Sequence, residues 1–458
     1  MTSPRTLAVN APSAAPNRTP ELARTELEAA CALLGVFPLP VGLLLLPPAP
    51  GDEARAETAL RALAQGDATT PMPHAWAFLR AALDGDAARA HDLAATAPEP
   101  WARYNRLVLG ADPELARSLT APHALPSPLA ELAAAAAFVH GLHDTAPDLP
   151  DRGIPDNNFP EATAVVAMIR AAAELETGRT EGALAELGHA LDAVRTRSPV
   201  FAAQLAAQRA DLLRAEPQAA VLELRAALEL ARGSTLPGQR SALHLQLGLL
   251  LHDLAEGRRG LLLEAVKAYQ NALQEGLADH PTSESFALVQ NHLGLAYLAM
   301  PMDDQAARLR LGVAVQSFRK ALEVYRPETH PELWASTQMN LANSLQYLPS
   351  SHPQENLVQA VELYEQLLQV RTAAKDPLGY ARVLANQANA LAHLGMFSPA
   401  LAKLEEAHKL FHWHGEPDLA ASVLEQVAAI HRRRQDADEE GTVEVENDGD
   451  DDSTEGTL

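Results

Sequence analysis

Asn340 and Asn343 stand three residues apart, and the same pair recurs 46 residues later as Asn386 and Asn389. A carboxamide carries donors and an acceptor on one short arm. Such a pair can therefore hydrogen-bond the backbone of an extended chain without choosing its side chains. The same amides can equally bridge two neighbouring helices and tie them together. Asn is a mediocre helix former, so its recurrence calls for one compensation or the other. Gln290 and Asn291 lie one repeat earlier, in a shifted register.

A second group is His408, His412 and His414. The first two are four apart, a spacing at which two imidazoles on one helix face can hold a metal, and Glu405 lies one turn back. Histidines near a helix C-terminus also satisfy free carbonyls and complement the helix dipole. No third ligand is fixed by spacing, so neither a metal nor any other cofactor is expected, and Trp413 is expected to pack against the next helix. Phosphate-loop, HExxH, GxSxG and CxxC patterns do not occur. A non-enzymatic chain is expected. Cys31, Trp76, Trp101 and Tyr104 are the unusual residues near the N-terminus, and they read most simply as core.

The elements that would carry these side chains are helices. Hydrophobic residues make up 47% of the 458, but aromatics only 4%, and there are three isoleucines; Ala and Leu supply the rest, which favours helix over strand. One pattern recurs six times: Ala, three residues, a Leu or aromatic, two residues, then Ala or once Leu. Its copies are Ala183–Leu187–Ala190, Ala220–Leu224–Ala227, Ala265–Tyr269–Ala272, Ala314–Phe318–Ala321, Ala360–Tyr364–Leu367 and Ala400–Leu404–Ala407. Offsets of four and three put all three on one helical face. The small ends let a neighbouring helix approach, and the larger middle residue fills the gap.

A preceding helix accompanies the later copies. Its stripe carries a small residue at Gly248, Gly294, Ala342 and Ala388, spaced 46, 48 and 46 apart. Pro199, Pro237, Pro281, Pro331, Pro377 and Pro417 stand at or just before helix starts, where the missing N–H is harmless.

This combination of a Gly/Ala–large pairing with an Ala–x3–aromatic–x2–Ala triplet resembles the tetratricopeptide repeat family over about residues 160–435. Within the family, the longer turns inside most pairs (256–260, 301–309, 349–356) are similar to the extended repeats of bacterial and kinesin-light-chain-type members. The resemblance implies an all-α, right-handed solenoid of antiparallel helix pairs with a terminal capping helix. It also implies that the face bearing Asn340, Asn343, Asn386, Asn389 and, less squarely, Asn291 lines a concave groove. The expected function is then a scaffold or adaptor gripping a peptide or protein segment. An effector-responsive sensor and a self-assembling protein that dimerises through the apolar 33–46 stretch are the alternatives.

Domain limits follow from composition. Residues 1–20 are expected to be a disordered leader, 21–150 a helical region with one degenerate pair (Ala87, His91 and Ala94 in triplet positions), and 151–435 the array. The boundary near 150 is marked by Pro147, Pro150, Pro155 and Pro160. Residues 436–458, with eleven acidic side chains and no Lys or Arg, are expected to be a disordered tail. Solvation, docking to a basic partner and internal occlusion remain open as its role.

The net charge of −23 argues against nucleic acid as a partner, and it remains −12 without the tail. The most membrane-like stretch, 31–46, is too short to span a bilayer and contains Pro38 and Pro40. A cytoplasmic protein with one cysteine and no disulfide is expected.

Overall fold

The computed structural model describes residues 44–121, 124–125, 129–142, 160–236, 238–301 and 306–447, the last twelve by backbone alone. Cys31, Pro237, most of the proline-rich boundary segment and the end of the acidic tail lie outside these. The described residues hold helices and no sheet. They fall into two compact units that divide at residue 254, with 274–276 belonging to the first.

Unit 1 opens with α1 (Glu53–Ala64), a short 3-10 turn at His74–Trp76, α2 (Ala77–Leu83), α3 (Ala87–Ala94), α4 (Trp101–Leu109), α5 (Pro113–Thr120) and α6 (Leu129–Val139). Where the sequence suggests a degenerate pair, α2 and α3 pack on each other, joined at Asp84-Gly85-Asp86, where Gly85 takes φ +80°. Its triplet is misplaced by the sequence reading: Ala90 and Ala94 are the buried residues of α3, while Ala87 is exposed. A seven-residue helix is too short to dictate the facing register, and α4 packs on α3 from its other side. Trp76, Trp101 and Tyr104 are core residues.

The unit continues as α7 (Pro160–Glu176) against α8 (Thr180–Val194), then α9 (Pro199–Leu212) against α10 (Pro217–Leu230), ending on α11 (Gln239–Ala255). Proline occupies the first turn of α9 and α10, where no N–H is needed and φ is already helical. The triplets on α8 and α10 are buried throughout.

Unit 2 contains α12 (Arg259–Gln274), α13 (Glu284–Leu298), α14 (Ala307–Leu322), α15 (Pro331–Gln346), α16 (Pro353–Val370), α17 (Pro377–His393), α18 (Phe397–Trp413) and α19 (Pro417–Asn447). Pairs α13/α14, α15/α16 and α17/α18 stack in sequence, each second helix also touching the next first helix, and α19 covers the last pair. Tyr269, Phe318, Tyr364 and Leu404, the middle triplet residues, are all fully buried. Each such aromatic or Leu contributes about 1.5–3 kcal/mol of burial. Ser283 and Asp376 cap α13 and α17 by accepting from the Phe286 and Gly379 N–H groups at 3.2 and 2.8 Å.

Two expectations at the C-terminal end meet a different structure. Trp413 does not pack on α19; it is the last residue of α18 and 86% exposed. The boundary set at 435 falls inside α19, which continues to Asn447.

Candidate functional site

The recurring amides lie on α15 and α17, adjacent first helices of unit 2 that touch directly. Asn343 sits one residue past the small Ala342, and Asn389 one past Ala388. The small residues face the second helices, so the asparagines that follow them turn away from that contact and remain half-buried.

Tyr364, centre of the α16 triplet, is fully buried in the pair, and its hydroxyl reaches two polar side chains of α15. There it donates to Asn343 Oδ1 at 2.5 Å and accepts from Gln346 Nε2 at 2.6 Å. Burial pushes its phenol far above the ordinary range, so it stays protonated and a donor. Gln346 Oε1 accepts from Asn389 Nδ2 at 3.0 Å, and the same nitrogen donates to the Tyr347 hydroxyl at 3.1 Å. Tyr364, Asn343, Gln346, Asn389 and Tyr347 thus form one continuous chain of bonds across α16, α15 and α17.

The sequence-predicted residues divide within this arrangement. Asn343 and Asn389 belong to the chain, and each keeps half an amide unpaired among the described residues: the Nδ2 donor of Asn343 and the Oδ1 acceptor of Asn389. Asn340 and Asn386 are half-buried, and their side chains make no hydrogen bond among the described residues. Asn291 is different. It is 7% exposed, and its Oδ1 accepts from Thr337 on α15 at 3.1 Å, so it bridges α13 and α15 inside the packed interface instead of facing out.

Three further residues were not singled out from the sequence. Gln346 and Tyr347 follow Asn343 at the end of α15, and His393 stands 46 residues after Tyr347, the same interval that separates the asparagines. That interval was the available signal. Tyr347 is 62% exposed and meets the His393 ring edge-on, with centroids 6.4 Å apart at 81°. Burial, and secondarily the Arg433 cation on α19, holds His393 below its ordinary pKa of 6.5. Gln338 and Gln387 both donate to α16, at the Leu363 and Val361 carbonyls; the first ties α15 to its own partner and the second ties α17 to the preceding pair.

His408 and His412 stack at 6.2 Å with rings nearly parallel. No group of three or more His, Cys, Asp or Glu side chains placed to hold a metal occurs among the described residues. No helix among them is long and apolar enough to cross a membrane.

No family model and no curated protein matches the chain. Among solved structures, it is similar to the apo form of RapI at 12% identity, covering 79% of this chain and 97% of that one, with a TM-score of 0.42. A Rap protein complexed with competence and sporulation factor gives 12%, the same 79% and 97%, and 0.38. Aspartyl phosphate phosphatase F from Bacillus subtilis gives 10%, 79%, 94% and 0.37. At such scores, the fold reading rests on this chain's own paired helices and buried triplets.

Proposed function

We propose that unit 2 is a non-catalytic binding module, a scaffold or adaptor that holds an extended peptide or protein segment along α13, α15 and α17. One observation carries the reading. Asn343 and Asn389, equivalent residues of adjacent repeats, present a donor and an acceptor, respectively, that have no partner among the described residues. Together they match the C=O and N–H that an extended backbone offers, whatever its sequence. Their remaining atoms are bonded to Tyr364, Gln346 and Tyr347, which fixes the rotamers before a ligand arrives and lowers the ordering cost of binding. Exposed Tyr347 beside them adds a rigid amphipathic surface. The pairs belong to the extended type of repeat on this reading, with second helices 46–49 residues apart from α12 to α16.

The plainer role, bridging between repeats, is separable by experiment. In Asn343→Asp a carboxylate oxygen still accepts from Tyr364, but the Nδ2 donor is lost. Wild-type protein is screened against an array of random, uncharged peptides, and the variant is screened alongside Asn340→Ala/Asn386→Ala. Capture by wild type with loss in Asn343→Asp at unchanged melting temperature is the expected result. Equal capture by all three proteins, or none by wild type, ends the proposal.

A further inference from the structure

In unit 1 an asparagine holds the backbone of its own chain. Asn105, on α4, is fully buried. Its Oδ1 accepts from the Leu45 N–H at 2.8 Å, and its Nδ2 donates to the Leu45 carbonyl at 2.7 Å. One side chain thereby satisfies both polar groups of one residue, 60 positions away in the chain. Two residues on, the Pro47 carbonyl accepts from the Trp76 indole N–H at 2.8 Å. Leu44, Leu45 and Leu46 are 0, 3 and 0% exposed, and none of residues 44–47 belongs to a helix.

Leu44–Pro47 is therefore a strap lying in a slot of the helical region, held as a ligand would be. Its main chain is read by amide and indole groups from α4 and the 3-10 turn, and its apolar side chains supply the burial. The connection to α1 runs through exposed Pro48, buried Ala49, exposed Pro50 and exposed Gly51, which takes φ +83° with open space around its α-carbon. For the strap to leave, the Gly51 N–H bond to Glu53 Oε1 of α1 at 2.9 Å, the Asp52 N–H bond to the Ala49 carbonyl at 2.9 Å and the burial of Ala49 have to be given up, a small set of contacts confined to this connection. The apolar stretch that the sequence suggested as a dimer surface is, at Leu44–Leu46, buried inside its own chain. Exchange of identical elements through such a connection is a low-cost route to association, because the burial and hydrogen bonds given up within one copy are restored by the strap of the other.

We infer that this slot is a peptide-binding site whose occupant is exchangeable, and that the strap of a second copy of this chain is the partner it fits. Its ligand class is an extended run of leucines closed by proline, chosen by side-chain burial and fixed in register by the Asn105 amide.

The test uses the full chain with a protease site inserted between Gly51 and Asp52, cleaved in the folded protein. The probe is a labelled synthetic peptide of residues 42–50, which stands for the second copy's strap. Its counterpart carries an N-methyl group on Leu45, which removes the N–H that donates to Asn105. The cut strap is expected to remain on the body during gel filtration and to exchange for the plain peptide. The methylated peptide should compete about tenfold or more weakly, as loss of a buried hydrogen bond requires. Trp76→Phe keeps the ring and loses the donor to Pro47, and it should speed release of the cut strap. Failure of the plain peptide to enter, or equal entry of both peptides, overturns the inference. Neither result bears on the α15–α17 groove, which carries no part of this slot.

Discussion

A β-carbon built on Gly294 would lie 2.7 Å from Cε1 of Phe318. Gly294 is the small residue of a first helix and Phe318 the middle residue of its partner's triplet, so the two repeat signatures meet at one point. Phe318 is fully buried and has nowhere to retreat. Gly294→Ala should destabilise by about 1–3 kcal/mol from overpacking, partly offset by the better helix propensity of Ala. Gly312, on α14 with nothing within 4 Å, is the control, and Gly312→Ala should stabilise by about 1 kcal/mol. Urea denaturation of both variants checks the opposite signs.

Tyr364→Phe removes the hydroxyl at the centre of the amide chain, leaving Asn343 Oδ1 and Gln346 Nε2 without it. A loss of about 1–2 kcal/mol is expected. If Asn343 grips a ligand, the same variant should also weaken capture, because the amide is no longer held in one orientation. Calorimetric melting together with peptide binding would show whether the two effects travel together.

Among the described residues, four histidines are held below their ordinary pKa of 6.5: His140, His244, His252 and His393, each by burial first. Arg240 adds to this at His244 and Arg433 at His393, while the Val108 carbonyl opposes it at His140. Below pH 6.5 the unfolded chain binds more protons than the folded one. The stability these groups contribute is therefore complete above pH 6.5 and is lost as pH falls beneath it. Urea midpoints measured from pH 7.5 to 5.5 should decline. In His244→Phe, which removes a residue 8% exposed with an unpaired Nδ1, the decline should be shallower.

Gly66 joins the N-terminal helices to the array. Its carbonyl accepts from the Thr235 N–H at 2.7 Å, and the Ala68 N–H donates to Thr235 Oγ1 at 2.9 Å. Gly66 takes φ +89°, and a β-carbon there would fall 2.6 Å from Val200 Cγ1. Both the backbone and the space exclude a side chain. Gly66→Val should cost about 2 kcal/mol or more and should raise proteolytic cleavage within residues 66–70 before the rest of unit 1 is cut.

The second helices were legible in the sequence because their Ala–large–Ala triplets repeat with helical spacing and every copy is buried. The first helices were legible where Gly294, Ala342 and Ala388 mark the crossings. Much of the N-terminal region was not. Its strap has no period, and the bonds that hold it join Leu45 to Asn105 and Pro47 to Trp76 across long separations. The candidate site was half legible. Asn343 and Asn389 came from their interval, but Tyr364 was read only as packing, since nothing local shows that its hydroxyl bonds Asn343 and Gln346 of α15. Trp413 was misjudged because an aromatic at a helix terminus looks the same in sequence whether or not a neighbour extends that far.

The bonds between neighbouring first helices bear on how repeats are kept in register. Alanine faces are smooth, and one packs on another nearly as well after a slip of a turn. Asn291 with Thr337, Gln346 with Asn389, and His330 with Glu284 at 3.0 Å work as pegs between such faces. Each joins residues 43 or 46 positions apart, so it closes only when the neighbours are the right ones in the right phase. A chain assembled largely from alanine and leucine thereby keeps its repeats in order through a handful of polar bonds. Shuffling two repeats would leave the core area almost intact while misaligning every peg.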